Sequence, residues 1–448
     1  MSQSQSEGAK IRARAARAVC AVTETNRTID WVLQERSQWL ETPLARELVF
    51  GTLRHFYAIE PLIKAHLKKP LKAKDQDIYA LLLVGAYQLY FLSLPDFAAI
   101  NETVAATKPL KKTWAKGLAN AILRNVAQTP KTERSLESAT APWLEAKLRL
   151  QYPQSHHRIV QGSLSKATMW LRVNQAKVSV DQYQNELNVA DLKWHQPFPD
   201  ILPETIKLLE PVPAATLPGW QKGWVAVQDV GAQLATACLS STRPRAILDS
   251  CCAPGGKLFH LLEQPFMHPP GKVECRIDAL DVSEKRLDHT KSEAIRLGHE
   301  RVSWHHVDAT SPEVRKLADV TGYDLIVLDA PCTGTGTLRR HPDLHLVLQP
   351  DAVAEMQQLQ SNLLRNLWPH LQPGGRLLYS TCSLLSEENN GVTDAFVKDT
   401  SDANVVPLQL PMGKPTATGW LMTPEEDCDG FFYCLLQKTK EATHAENA

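Results

Sequence analysis

The sequence predicts a multidomain chain: an all-α N-terminal part, a small α+β middle module, and a C-terminal α/β part on a doubly wound, largely parallel sheet. Three observations carry this. The chain has 448 residues, 43% of them apolar, enough for two or three cores at about 100 to 200 residues per domain. The first 130 residues show helical periodicity with almost no strand-type alternation. From Arg245 onward, short apolar strands are each followed by a helical pattern.

Composition excludes several classes. No apolar run reaches the roughly 18 residues of a membrane span, and the N-terminus lacks the apolar core of a secretory signal. The arginine-rich "KIRARAARAV" reads as the first helix rather than a transit peptide. Nine cysteines, with no C-x-x-C pair, argue against a disulfide framework and a zinc site. No metal is expected, and the expected compartment is a reducing cytoplasm. The net charge of zero hides an asymmetry: residues 1–140 carry +7, 141–240 carry +1 and 241–448 carry −8. A basic front on a neutral chain implies a polyanionic partner.

In chain order, "LARELVFGTLRHFYAIEPLIKAHL" and "DIYALLLVGAYQLYFL" have the spacing of packed helices. Together with "KGLANAILRN" and "LSLPDFAAINETV", these stretches resemble the NusB-type RNA-binding helical domain, expected over residues 1–131. The resemblance implies that the basic "KPLKKTWAK" faces RNA phosphates. A polar stretch, "TERSLESATA", reads as a linker. Residues 141–225 then mix helical "WLEAKLRLQY", strand-like "MWLRVN" and helical "SVDQYQNELN" before a proline-rich passage, the pattern of a small α+β module that links the larger parts and helps to bind RNA. In "GWVAVQDVGAQLATACL" a strand leads into a helix that opens the last domain, residues 226–440.

In a doubly wound sheet, ligands sit at the carboxyl ends of the strands. The first strand, "AILDS", ends in "CCAPGGKLFHLL", where Pro254 and Gly255-Gly256 allow a tight turn. The pattern is not G-x-G-x-x-G, which weakens a dinucleotide reading. The second strand closes with Asp281, placed to accept from ribose hydroxyls, and the third with Asp308, placed to reach an adenine amine. The turn and the two acids in register describe a pocket for S-adenosyl-L-methionine. The fourth strand runs into "DAPCTGTGTLRRHPD" and the fifth into "STCSLLSEENN". As neighbouring strands, they should bring Cys332 and Cys382 to the same side of that pocket.

"APGGK", "DAPCTGTGTLRRHPD" and "STCSLLSEEN", in this order and with a final strand "DGFFYCLLQK", closely resemble the RNA cytosine-5 methyltransferases of the NOL/NOP/Sun superfamily. The resemblance implies a Rossmann-like class I methyltransferase domain. It implies that Cys251, Cys252, Ala253, Pro254, Gly255, Gly256 and Lys257 line the cofactor, with Asp281 at its ribose and Asp308 at its adenine. Asp329 would lie between the cofactor's methionine end and the base. Cys382 would be the nucleophile, and Cys332 would assist release of the methylated product. The turn departs from the family pattern at Cys252 and Leu258, where alanine and a small polar residue are expected. The implied partner is 16S ribosomal RNA, unassembled or partly assembled, with no membrane and a monomeric enzyme.

The chemistry explains the thiol. Carbon 5 of cytosine is a weak nucleophile until a thiolate adds to carbon 6 and makes the ring an enamine. A helix N-terminus at "SEENN" is expected to favour the Cys382 thiolate. Attack on a ring face requires an unstacked base, beside which "TLRRHPD" would supply positive charge. A related enzyme acting on transfer RNA would share this pattern. A DNA enzyme of this chemistry would use the Pro-Cys of Pro331-Cys332, and a non-catalytic RNA-binding assembly factor would have little reason to keep Cys382 and Asp329.

Overall fold

The computed structural model describes residues 2–129, 140–239, 243–267, 275–317, 322–425 and 427–439. They form two compact units: Met1–Lys166 with Leu338–Pro350, and Ala167–Thr337 with Asp351–Ala448. Apart from Thr140 and Ala141, the polar stretch expected as a linker lies outside the described residues.

The first unit is helical. Its helices include Ser2–Thr25, Ile29–Glu35, Pro43–Arg54, Phe56–Lys64, Gln76–Phe91, Asp96–Ala105 and Lys116–Gln128. Thr28 and Thr42 cap two of them, accepting from the backbone N–H of Trp31 (3.2 Å) and Ala45 (3.1 Å), with Pro43 in the first turn of the second. Helix Gln76–Phe91 is buried from Ile78 to Tyr90 with one intermediate position, so it is apolar all round and serves as the hub of the core. Its one buried amide, Gln88, accepts from Arg12 Nε (2.8 Å) and donates to Thr103 Oγ1 (3.1 Å), which satisfies the polar group within the core. Helices Pro142–Gln151 and His156–Leu164 group by packing with this unit.

Leu338–Pro350 completes the helical unit. Asp343 accepts from the backbone N–H of Ile29 (3.0 Å), Arg54 donates to the carbonyl of Arg339 (2.9 Å), and Tyr57 donates to the carbonyl of His345 (3.1 Å). Leu346 and Val347 pack on the helical core. Burial, with Arg54 and His55 nearby, pushes His345 down to about 3, so it is neutral where its Nδ1 meets Thr140 Oγ1 at 2.8 Å. This corrects one expectation. Arg339 of "TLRRHPD" is 1% exposed inside the helical unit, so its charge is not presented to a substrate.

The second unit carries two sheets. The small one contains β1 (Met169–Val173), β2 (Trp194–His195), β3 (Thr205–Leu208) and β4 (Val225–Val227), ordered β2-β3-β1-β4 and antiparallel. Leu171, Val173, Ile206, Leu208 and Val225 of its strands pack with Tyr183 and Leu187 of helix Val180–Val189. The strand-to-helix passage "GWVAVQDVGAQLATACL" spans both sheets: β4 pairs in the small sheet, while Leu234 and Ala235 of helix Val230–Ala237 join the core of the large one.

The large sheet holds β5 (Ala246–Asp249), β6 (Arg276–Asp281), β7 (Ser303–His306), β8 (Tyr323–Asp329), β9 (Leu371–Thr381), β10 (Ala403–Val406), β11 (Lys414–Pro415), β12 (Trp420–Met422) and β13 (Phe431–Lys438). The order is β11-β12-β13-β9-β8-β5-β6-β7, with β10 on β13. Strands β5 to β9 pair in parallel and β13 returns antiparallel to β9. β5 is buried along its whole length and β8 along most of it, as parallel strands covered on both faces must be. Because β5 lies between β6 and β8, the chain reverses direction of winding there, and the carboxyl ends of β5 and β8 open the crevice of a doubly wound sheet. No helix among the described residues is long and apolar enough to cross a membrane.

Candidate active site

At that crevice lies a cavity of ≈ 430 Å³, within the usual range of about 300 to 1,000 Å³ for small-molecule sites. Of the residues expected from the sequence, Cys251, Ala253, Asp281, Asp308, Asp329, Cys332 and Cys382 line it. Cys252, Pro254, Gly255, Gly256 and Lys257 are not among the lining residues, and Pro254 is exposed. Gly255 adopts φ +96°, and a Cβ there would meet the Phe259 ring at 2.2 Å, so the turn requires glycine. Cys252 and Leu258, the two departures from the family pattern, are buried in the core with Phe259 and Ala279. Their apolar side chains therefore serve packing rather than the cavity. Lys257 Nζ sits 2.6 Å from Asp329 Oδ2 and 5.2 Å from the Phe431 ring centre, and holds that acid at the end of β8.

Asp281 is nearly buried. Its oxygens accept from the backbone N–H of Ala253 (3.3 Å) and Ser283 (2.9 Å), which tie the end of β6 to the turn after β5. Asp308 is exposed, and its Oδ1 accepts from Thr310 N (2.8 Å) and Oγ1 (2.7 Å). Ser283 caps helix Glu284–Leu297, which frees Asp281 from that duty.

Two charged residues escaped the sequence reading, one in the cavity wall and one next in sequence to its lining residue Ser250. Arg286 lines it, donates to the carbonyl of Ala253 (2.5 Å) and lies 3.6 Å from Asp281 Oδ2. Asp249, the last residue of β5, is 1% exposed, and its Oδ1 has no hydrogen-bond partner among the described residues. Burial, and then the neighbouring Asp329, push its carboxyl up to about 8. Its position at a strand end, the same signal that marked Asp281, could have identified it. Asp281 and Asp329 at the ends of β6 and β8, with Asp308, line the cavity beside the apolar Leu359 and Leu363, a lining that suits a ligand joining cationic and hydroxyl groups to an apolar ring, as S-adenosylmethionine does.

The two cysteines meet. Cys332 Sγ and Cys382 Sγ are 3.4 Å apart. The hydrogen bond to Cys382, followed by burial, raises the Cys332 thiol well above the usual range, so Cys332 keeps its proton. The loops that carry them are stitched together: Ala330 N donates to Ser380 O (2.8 Å), Ser380 Oγ to Asp329 Oδ1 (2.9 Å) and Gly336 N to Cys382 O (2.8 Å). A Cβ on Gly336 would lie 2.3 Å from Gly430 O and 2.8 Å from Cys382 O, which excludes a side chain between them. The helix N-terminus expected at "SEENN" lies there, with Asn389 as the N-cap and Asn390 as the first helical residue. Just before it, the buried side chain of Glu388 turns back toward the loops that carry the cysteines.

This fold and site define a class I S-adenosylmethionine-dependent methyltransferase. Residues 236–437 match the family described as 16S rRNA methyltransferase RsmB/F, residues 8–128 the NusB family, and residues 141–215 a ferredoxin-like domain of RsmF/B-like methyltransferases. The chain is 36% identical to ribosomal RNA small subunit methyltransferase B of Pseudomonas syringae pv. tomato, over 95% of this chain and 96% of that one. It is 35% identical to the Escherichia coli O17:K52:H18 protein of that name, over 96% and 98%. The chain belongs to the ribosomal RNA small subunit methyltransferase B family. Among solved structures, it is similar to PH0851 (TM-score 0.79, 22% identity, 95% of this chain and 99% of that one). It is also similar to a methyltransferase homolog from Pyrococcus horikoshii (TM-score 0.57, 27% identity, 66% and 94%).

Proposed function

We propose that the protein methylates carbon 5 of a cytosine in 16S ribosomal RNA through a covalent bond between Cys382 and the base. The observation that carries this reading is the 3.4 Å approach of Cys332 and Cys382 at the wall of the cofactor cavity. S-adenosylmethionine supplies, when bound, a methyl group on a sulfonium. Asp281 would accept from its ribose hydroxyls and Asp308 from its adenine amine, with Cys251, Ala253 and the turn to Lys257 along its flank. Asp249, Asp329 and Lys257 would surround its methionine end.

Cys382, as thiolate, adds to carbon 6 of an unstacked cytosine, and the electron pair moves to carbon 5 as an enamine. Carbon 5 would then take the methyl group, the pair of the broken carbon–sulfur bond staying on the cofactor's sulfur. Loss of the carbon 5 proton to a base returns the electron pair to the ring and expels the Cys382 thiolate. The Cys332 S–H, protonated and in contact with that sulfur, donates a hydrogen bond to the leaving thiolate and so assists release. Asp329, held by Lys257 and Ser380, stands between cofactor and base. Residues 1–131 would grip the RNA with the exposed Lys108, Lys111 and Lys116, the enzyme acting as a cytoplasmic monomer on RNA not yet fully assembled.

The test is bisulfite mapping of 16S RNA and of transfer RNA, each after incubation with the enzyme and S-adenosylmethionine. One newly protected cytosine, absent with Cys382→Ala, is the expected result. Protection confined to transfer RNA would overturn the ribosomal assignment.

A further inference from the structure

Glu388 has no place in the mechanism above, yet its carboxylate is 0% exposed, a position in which an acid is costly unless its acceptors are used. They are used on the loops that carry the two thiols. Oε2 accepts from the backbone N–H of Thr333, the residue after Cys332, at 2.8 Å and from Gln360 Nε2 at 3.2 Å. Oε1 accepts from the hydroxyls of Thr333 and of Ser383, the residue after Cys382, the latter at 2.5 Å.

The surroundings reinforce the same connection. Gln360 also donates to the carbonyl of Pro331 (2.8 Å), on the other side of Cys332. Asn389 donates to the carbonyl of Ser383 (2.9 Å) and accepts from Thr381 Oγ1 (2.6 Å), so it brackets Cys382. Tyr379 donates to the carbonyl of Glu388 (2.6 Å), which fixes the turn that presents the carboxylate. Burial raises the Glu388 pKa against the opposing effect of these hydrogen bonds, and its side chain is absent from the cavity wall.

We propose that Glu388 is a positioning residue for the two-thiol site: one carboxylate, bound to the residue that follows each cysteine, sets the separation of Cys332 and Cys382. It touches neither base nor cofactor and acts through the two loops. The proposal rests on the reading of Cys382 as nucleophile and Cys332 as the aid to release. The structural basis for a strong effect is that a carboxylate has only acceptors here, facing only donors. An amide in its place would either set its N–H₂ against the Thr333 N–H and the Gln360 amide, two donors, or make the Thr333 and Ser383 hydroxyls turn and accept.

The test uses Glu388→Gln in the full chain, with three readouts. Its kcat for methyl transfer should fall by about tenfold or more, while KM for RNA and affinity for S-adenosylmethionine stay within about twofold. On denaturing gels, a larger share of enzyme should be trapped as the RNA adduct, because Cys332 no longer meets the leaving sulfur. The third readout does not depend on catalysis. Diamide, which is reduced as the two thiols lose their hydrogens, should join Cys332 to Cys382 about tenfold more slowly than in the parent protein. Ser383→Ala, a smaller change that removes one donor, should move all three readouts in the same direction. Combined with Glu388→Gln, it should add less than its separate effect.

Parental kcat together with a parental rate of disulfide formation in Glu388→Gln would overturn the proposal. So would a loss of kcat matched by an equal loss of cofactor affinity, since that is the signature of general damage. If Cys382→Ala retained activity, the catalytic reading would fall, and the disulfide rate would still decide whether Glu388 sets the distance between the thiols.

Discussion

Arg172 of the small sheet donates from Nε and Nη2 to the two carboxylate oxygens of Glu263, each at 2.8 Å, with both side chains 1% exposed. Its remaining nitrogen reaches the carbonyl of Gly256 (2.8 Å) and Gln228 Oε1 (2.6 Å). A residue of the middle module thus holds the cofactor turn of the large sheet. Nearby, Glu204 accepts from His260 (2.6 Å) and Thr205 donates to Gln233 (2.7 Å), so the two sheets share a buried polar seam.

Removing one partner of that pair leaves a buried charge unmatched. Arg172→Met should destabilise the protein by about 3 to 5 kcal/mol, measured by urea unfolding, and should weaken S-adenosylmethionine binding in the fraction that remains folded. Unchanged affinity would detach Arg172 from the turn.

The same pair predicts acid sensitivity. Burial alone would raise the Glu263 carboxyl, but Arg172 and His299 hold it down to about 2 from an ordinary 4.5. The folded-state value is depressed, so the stabilisation is complete above the ordinary value and is lost as pH falls toward 2. Unfolding free energies measured across that window should fall for the parent protein, and less steeply for Glu263→Gln.

At the cofactor site, Asp281→Ala should weaken S-adenosylmethionine binding by about 1.5 to 3 kcal/mol, the range for hydrogen bonds to a charged group. Calorimetry that finds no change would remove Asp281 from the ribose.

The two thiols should separate by function. Cys382→Ala should abolish methyl transfer and any covalent RNA adduct, because no enamine forms. Cys332→Ala should accumulate the adduct of enzyme and methylated RNA, visible by denaturing electrophoresis with labelled RNA. An adduct in the first variant and none in the second would exchange their roles.

On the helical unit, Lys112 is not available for RNA as the sequence suggested: its Nζ lies 3.0 Å from Asp75 and 2.6 Å from Asp77. Lys111→Ala and Lys116→Ala should lower RNA affinity and flatten its salt dependence by about one counterion each, read by titration at several salt concentrations. Lys112→Ala should act chiefly on stability.

The parts legible in the sequence were those encoded over a few residues. Strand periodicity placed Asp281 and Asp329 at strand ends, and the Pro-Cys and Thr-Cys motifs placed the thiols on neighbouring strands. The rest depends on pairing across the chain. Arg172 meets Glu263 across 91 positions and Thr333 meets Glu388 across 55, and neither partner carries a local pattern that names the other. Arg339 was misread for the same reason. An arginine in a polar motif looks exposed until its position inside another unit is known.

That placement bears on how such a gene can be cut and joined. Leu338–Pro350 lies more than 170 residues beyond Lys166 and still completes the helical unit. The N-terminal residues are therefore not a cassette. A recombinant fragment that stops before the second unit loses Asp343 from Ile29 and the apolar Leu346 and Val347 from the core. A chimera that exchanges the helical part between homologues would need to carry both pieces, and a crossover between them would leave each parent's insert in a foreign socket.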